Sequence, residues 1–208
     1  MKKKPLNETL ILKTLEWAYE RALLSSPFPG VDNSVTLAQN FLNQKGTLEE
    51  QVNSLIRWQN TKAATVGFVT GLGGAAVLPV MVPSNIASVL FIQVRMIAAI
   101  ALMGGHNLKD DKVKTLVFMC MCGSSGLDVL KSFSISVGKQ ALLKINKEVI
   151  KKINSAIGVR LLARTGESSA VSLTKAIPFF GGVIGGSFDA ITTNMIGKVA
   201  KEVFISQD

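Results

Sequence analysis

A stretch of 32 residues without a charged side chain, Ala63–Val94, constrains this chain more than any other feature. Two prolines, Pro79 and Pro83, divide it, and the part before them is about as long as a membrane span. The segment after them, 84–103, is equally long but contains Arg95, which costs roughly 2.5–3.5 kcal/mol at the centre of a bilayer. We therefore interpret the two segments as a helical hairpin that is either buried in a protein core or shallowly inserted in a bilayer. A true membrane span is the interpretation that we favour least.

Small residues recur every four positions in two apolar segments, so that they would line one side of a helix. Glycine weakens a helix by about 1 kcal/mol relative to alanine, and the pattern therefore indicates that another helix approaches closely. Such contacts occur between membrane helices and also inside soluble cores, and the sequence leaves both open. Neither a P-loop nor a dinucleotide-binding spacing is present. The glycines assigned to helix packing are Gly67, Gly71, Gly73, Gly74, Gly181, Gly182, Gly185 and Gly186.

The composition favours an all-α fold. Apolar residues make up 48% of the chain but aromatic residues only 6%, and no alternation of apolar and polar residues with a period of two persists. The sequence predicts an N-terminal amphipathic helix over 7–24, which the Ser-Ser-Pro-Phe-Pro-Gly segment at 25–30 ends. We expect residues 1–29 to form this extension, and residues 30–208 to form one compact helical domain around two glycine-rich apolar helices.

Local signals predict the positions of the other helices. A short helix is predicted near 34–43, and Thr47 and Glu50 have the spacing of a capping box that opens the next helix. Acidic residues at 110–111 mark the start of a further apolar helix. Later helices are predicted near 156–165, 167–177 and 177–204.

Polar residues inside apolar segments are the candidates for a binding site. A buried charge needs a partner, and an ion pair between Arg95 and Asp189 would join the two glycine-rich helices. The alternative is a polar region that faces lipid headgroups or a ligand. The candidate residues are Gln93, Arg95, Arg160, Arg164, Glu167 and Asp189.

The net charge of +9 is concentrated in residues 109–208, which carry 14 basic and 8 acidic side chains. Within this region, residues 139–153 are predicted to form one basic helix with an apolar stripe beside its lysines. This pattern is typical of helices that lie on anionic lipid, and equally of a solvated lysine face above a core. The segment lacks the aromatic and arginine positions that favour nucleic acid. The residues of this predicted basic surface are Lys144, Lys147, Lys151 and Lys152.

The residue types needed for catalysis or metal binding are scarce. Cys120 and Cys122 are the only cysteines, His106 is the only histidine, and neither a nucleophile elbow nor a His-Glu-x-x-His motif occurs. We therefore predict no catalytic residue, no cofactor and no metal, and we favour a non-enzymatic role. Because no uninterrupted apolar segment follows Lys2–Lys4, the sequence predicts a cytoplasmic protein without a signal peptide.

Four stretches, in order along residues 67–204, carry a family resemblance: GFVTGLGGAAVLPVMVP (67–83), QVRMIAAIALMGGHNLKDDKVKTLVFMCMCG (93–123), INKEVIKKINSAIGVRLLARTGE (145–167) and AIPFFGGVIGGSFDAITTNMIGKVAKEVF (176–204). Together they resemble the EcsC family of bacterial proteins. The family's Gln-Leu-Arg-Met motif corresponds to Gln-Val-Arg-Met at 93–96, and its Gly-Tyr/His-Asp motif corresponds to Gly-His-Asn at 105–107, where asparagine replaces the acidic residue. The resemblance implies a helical, apolar, membrane-associated protein, and implies no reaction, cofactor or catalytic residue.

These features predict a protein that is peripheral or shallowly inserted at the inner face of the cell membrane. There it would bind an anionic lipid surface or a membrane protein complex, with an accessory role in transport or secretion. Three other functions stay open: a membrane-permeabilising toxin or effector, an ordinary soluble interaction module, and an enzyme that uses Arg95, Glu167 and Asp189 in an apolar cavity. The oligomeric state is left open as well.

Overall fold

The computed structural model describes residues 7–28, 30–64, 84–164 and 187–205. At 62–64, 84–86, 139–140, 162–164 and 187–191 it describes the backbone alone. Within the described residues all regular secondary structure is helical and no strand occurs, so the predicted all-α fold is confirmed. The helices are α1 Glu8–Leu23, α2 Ser34–Leu42, α3 Leu48–Ala64, α4 Ser84–Met103, α5 Asp111–Cys120, α6 Ser124–Ser132, α7 Lys139–Lys144, α8 Lys147–Arg164 and α9 Ser187–Phe204.

The first helices begin where local side-chain chemistry predicts them. Asn7 caps α1, because its Oδ1 accepts a hydrogen bond from the backbone N–H of Leu10 at 2.8 Å. At the start of α3, the Thr47 N–H donates to Glu50 Oε2 at 2.7 Å, and the Glu50 N–H donates to Thr47 Oγ1 at 3.3 Å. The predicted capping box is therefore present, and the two helices predicted before it are confirmed.

Helix α4 is the centre of the described structure. It packs against α1, α2, α3, α5 and α9, and every residue from Phe91 to Ala101 is buried. A helix that is apolar on all sides needs apolar surroundings on all sides, and here the neighbouring helices provide them. The second arm of the predicted hairpin is thus part of the protein core, whereas the first arm beyond Ala64 lies outside the described residues. In the part of the chain that the structure describes, no helix combines the length and the hydropathy that crossing a bilayer requires.

Helix α1 covers one side of α4 with its apolar face and also contacts α8. The Tyr19 hydroxyl donates a hydrogen bond to the Leu108 carbonyl at 2.7 Å, which ties α1 to the turn between α4 and α5. The amphipathic helix predicted at the N-terminus is therefore packed into the same core, while the division of the chain after residue 29 stays a prediction. The buried residues at helical spacing are Ile11, Leu15, Ala18 and Ala22.

The region from α6 to α8 differs from the prediction. A single basic helix is predicted over 139–153, but the structure has two helices there, because the chain turns between α7 and α8. Asn146 caps the second helix: its Oδ1 accepts a hydrogen bond from the Val149 N–H at 2.9 Å. Helix α8 then continues without a break to Arg164, so the residues predicted as a helix near 156–165 are helical as far as 164 but belong to α8, not to a helix of their own. The helix predicted near 167–177 lies outside the described residues. The short helix α6 has no counterpart in the sequence prediction.

Two helices approach each other closely at Gly197, a glycine that belongs to neither of the two glycine clusters predicted to pack helices. Gly197 of α9 faces α3, and a Cβ atom there would lie 2.9 Å from Ile56 Cγ1. The glycines predicted to pack helices, at 67–74 and 181–186, lie outside the described residues. Their role, and the two glycine-rich helices themselves, stay predictions. The helix predicted over 177–204 is confirmed for its described part, α9.

The C-terminal ends of α4 and α9 meet at Gly104. A Cβ atom there would overlap the backbone carbonyl oxygen of Phe204, so a larger residue does not fit without a backbone shift. Two residues later, His106 Nε2 lies 3.0 Å from the same carbonyl oxygen. Gly105 between them has φ +79°, the left-handed conformation with which many helices end. The end of α9 is therefore held to the end of the central helix by direct backbone contact.

Candidate functional site

The guanidinium of Arg95 is buried in the interior, with 1% of the residue exposed. Its Nη1 donates to the backbone carbonyl of Asp32 at 2.9 Å, and its Nη2 donates to Gln59 Oε1 at 3.0 Å. Both acceptors are neutral oxygens, and among the described side chains no carboxylate lies within ion-pair distance of this guanidinium. Burial lowers the pKa of Arg95 to about 10 and the charge of Asp32 opposes this, so Arg95 is cationic at neutral pH.

Two polar atoms at the contact between Arg95 and Gln59 have no hydrogen-bond partner in the described structure. They are Arg95 Nε and Gln59 Nε2, both of them donors. A buried polar group without a partner costs about 1–3 kcal/mol, so two of them at one contact call for an explanation. Trp58, which is 37% exposed, lies over the guanidinium with its ring centroid 5.9 Å from Arg95 Cζ. We call Arg95, Gln59 and Trp58 the Arg95 cluster, and it lies one side chain below the surface.

Gln93 lies on the opposite side of α4 from Arg95, because residues two apart in a helix are rotated by about 200°. Its Nε2 lies 3.3 Å from Thr193 Oγ1 and 3.5 Å from Thr192 Oγ1, so Gln93 makes a polar contact from α4 to α9. Asp189 belongs to α9, and its side chain lies outside the described residues. The ion pair between Arg95 and Asp189 therefore stays a prediction.

The remaining polar candidates belong to another part of the fold. Arg160 is half-buried on α8, with Nη1 3.5 Å from the Ala156 carbonyl, and α8 packs mainly against α1, α5 and α6. The side chain of Arg164 and all of Glu167 lie outside the described residues. The structure therefore does not bring Arg160 to the Arg95 cluster, and the enzyme hypothesis that includes Glu167 is not tested.

The predicted basic residues flank the turn between α7 and α8, with Lys144 at the end of α7 and Lys147, Lys151 and Lys152 in the first turns of α8. All four lysines are exposed, and Leu143, next to Lys144 in the chain, is 82% exposed. We call these five residues the α7–α8 surface. A single carboxylate interrupts it: Glu148 pairs with Lys152 at 2.7 Å, and that hydrogen bond and charge lower the pKa of Glu148.

Sequence reasoning did not identify the partners of Arg95. The backbone carbonyl of Asp32 carries no sequence signal, because every residue has such a group. Gln59 does carry a sequence signal, because it continues the buried stripe of Val52 and Leu55 at helical spacing. A polar side chain on a buried stripe needs a buried hydrogen-bond partner. Trp58 follows the capping box on the same helix, without a pattern that points to a cation.

In the described ranges, no group of three or more His, Cys, Asp or Glu side chains is arranged to hold a metal ion. The single histidine is used at the junction of α4 and α9, and both cysteines are buried. The expectation that the protein uses no metal or cofactor stays a prediction.

Fold and candidate sites together define an all-α protein with a buried central helix that carries an arginine, and with lysines clustered on an outer turn. A sequence model described as the EcsC protein family matches residues 35–205. The chain belongs to the EcsC family, and the resemblance stated from its sequence is confirmed. Searches of curated proteins and of solved structures find no match.

Proposed function

We propose that this protein binds anionic membrane surfaces through its α7–α8 surface and has no enzymatic role there. One observation carries the proposal: Leu143, which is 82% exposed, directly precedes Lys144 at the end of α7, and three more exposed lysines follow in the first turns of α8. An uncovered leucine offers an apolar contact that the headgroup region can bury, and the lysines attract lipid phosphates. The positive charge of residues 109–208 supports the same interpretation.

The expected affinity is low. Each lysine near an anionic surface contributes about 1 kcal/mol, and Glu148 offsets about one of the four. Full burial of Leu143 would add about 1.5–3 kcal/mol. A total of about 5 kcal/mol corresponds to a dissociation constant of roughly 0.1–1 mM in accessible lipid, which means reversible binding. Because the lysines are exposed, salt should weaken the binding strongly.

Co-sedimentation with vesicles tests the proposal directly. The protein is mixed with millimolar phosphatidylcholine vesicles, with or without phosphatidylglycerol, at low and at high salt. We expect sedimentation with the phosphatidylglycerol vesicles at low salt only. Release of a trapped dye, measured in the same samples, distinguishes surface binding from permeabilisation, for which we expect no signal.

Charge reversal locates the binding surface. Lys147→Glu with Lys151→Glu should abolish sedimentation, and Leu143→Ser should weaken binding by at least about tenfold, because the apolar contact is lost. The control is Lys45→Glu with Arg57→Glu, which changes the net charge by the same amount on exposed residues of the α2–α3 region. If the control weakens sedimentation as much as the Lys147/Lys151 pair, or if the wild-type protein never sediments, the proposal is wrong.

A further inference from the structure

One edge of the Arg95 guanidinium is only half used. Nε and Nη2 form the edge that commonly binds two oxygens of a carboxylate or phosphate side by side. Here Nη2 donates to Gln59 Oε1 at 3.0 Å, whereas Nε has no acceptor in the part of the chain that the structure describes. Gln59 Nε2, on the same amide group, lacks an acceptor there as well. Two unpaired donors therefore flank the contact between Arg95 and Gln59.

The charge at this position favours an anion over a water molecule. Arg95 is 1% exposed, Gln59 is fully buried, and the acceptors that Arg95 uses are neutral. The carboxylate that acts on Arg95 through space is that of Asp32, which is exposed and has its Oδ2 3.4 Å from Asn40 Nδ2. Arg95 is a buried cation, and its counter-charge, Asp32, lies at the surface. A negative charge bound directly at Arg95 Nε would therefore stabilise the guanidinium more than a neutral oxygen would.

We propose that Arg95 and Gln59 form a binding site for one oxyanion of the phosphate class. One of its oxygens accepts hydrogen bonds from Arg95 Nε and Gln59 Nε2. Trp58, which is 37% exposed and also packs edge-to-face on Phe41, separates the site from solvent. The site lies where α2, α3 and α4 meet, so it is separate from the α7–α8 surface and independent of the proposed membrane binding.

Trp58 also provides the readout. The chain has two tryptophans, so in a Trp17→Phe background the emission comes from Trp58 alone. Inorganic phosphate is titrated against chloride at constant ionic strength, and emission and thermal midpoint are recorded. We expect a saturable change in emission and a higher midpoint with phosphate only. Phosphatidylglycerol vesicles added to the Lys147→Glu/Lys151→Glu protein show whether a lipid phosphate produces the same emission change as the free ion.

Three variants assign the effect to the site. Arg95→Met should abolish it, and Gln59→Glu should abolish it in a folded protein, because the new carboxylate takes the place of the anion beside Arg95. Asp32→Asn keeps the backbone carbonyl but removes a repelling charge, so phosphate should bind roughly two- to fivefold more tightly. Equal effects of phosphate and chloride on the wild-type protein would overturn the proposal, as would an unchanged phosphate response in Gln59→Glu.

Discussion

The substitution Gly104→Ala tests how closely the ends of α4 and α9 approach. The added methyl group would overlap the Phe204 carbonyl oxygen, which belongs to the backbone and cannot rotate away. Such overpacking costs about 1–3 kcal/mol, and separation of the two ends would also remove the hydrogen bond between His106 and Phe204, worth about 1 kcal/mol. Alanine regains about 0.4–1 kcal/mol through the unfolded state. We therefore expect the free energy of unfolding to fall by about 2–3 kcal/mol.

The assay is urea unfolding followed by circular dichroism, together with thermal unfolding. For a chain of this size, each kcal/mol lowers the melting temperature by about 2–4 °C, so the expected decrease is about 4–12 °C. His106→Ala is the matched control: it removes the hydrogen bond and the edge-to-face contact with the Phe204 ring, whose centroid lies 5.2 Å away, but adds no atom between the two helix ends, and it should cost about 1.5–2.5 kcal/mol. A Gly104→Ala protein within about 0.5 kcal/mol of wild type would refute the reasoning, since it would mean that the two ends do not touch.

Two further predictions concern other positions. Gly197→Ala should lower the free energy of unfolding by about 1 kcal/mol, because the added methyl group would lie 2.9 Å from Cγ1 of Ile56, a stiff side chain branched at Cβ. Gly158→Ala should lower it less: the Glu8 side chain, which the methyl group meets at Cγ, must rotate and give up its hydrogen bond from Ser155 Oγ at 3.2 Å, but alanine gains about 1 kcal/mol over glycine in a helix. Urea unfolding that shows the reverse order would contradict both expectations. Burial raises the pKa of Tyr19 above its ordinary value of 10.0, because the folded protein disfavours the tyrosinate. This contribution to folding stability is fully present below pH 10.0 and is lost as the pH rises above it, where the unfolded chain ionises more readily. Tyr19 is the only tyrosine, and its tyrosinate absorbance should therefore appear together with loss of helical circular dichroism, not before it.

The helical framework is largely predictable because its signals act within one turn of the chain. The Thr47–Glu50 capping box and the Asp110 cap, which accepts from the Lys112 N–H at 2.8 Å, involve residues close in sequence. That α4 avoids water follows in the same way, because a largely apolar helix has no face to present to water, but the sequence leaves open whether a protein core or a bilayer surrounds it. Such features need no knowledge of the tertiary fold.

The break at Asn146 shows where periodicity fails. The apolar residues before and after it keep helical spacing, so a hydrophobic pattern predicts one continuous helix over 139–153. Asparagine, however, is among the residues best able to start a helix, and here its side chain caps α8. Two local preferences compete at this position, and the pattern of apolar residues alone does not decide between them.

The Arg95 cluster is only partly predictable: Gln59 can be recognised as a polar residue on a buried stripe, but its pairing with Arg95 arises only in the folded chain. Reasoning from charge points from Arg95 to Asp189, since a carboxylate is the usual partner of a buried cation. The acceptors that the structure assigns are a backbone carbonyl 63 residues away and an amide 36 residues away. Neutral oxygens are abundant in every sequence, so the choice of these two depends on how α2, α3 and α4 pack.

The central position of α4 has a consequence for biosynthesis. Ribosomes add about 5–20 residues per second, so the end of α9, 204 − 103 = 101 residues after the end of α4, is synthesised roughly 5–20 s later. During this interval the side of α4 that α9 later covers is open to water, to chaperones and to any nearby bilayer. The nascent chain therefore passes through a stage with exposed apolar surface, and completion of α9 ends it.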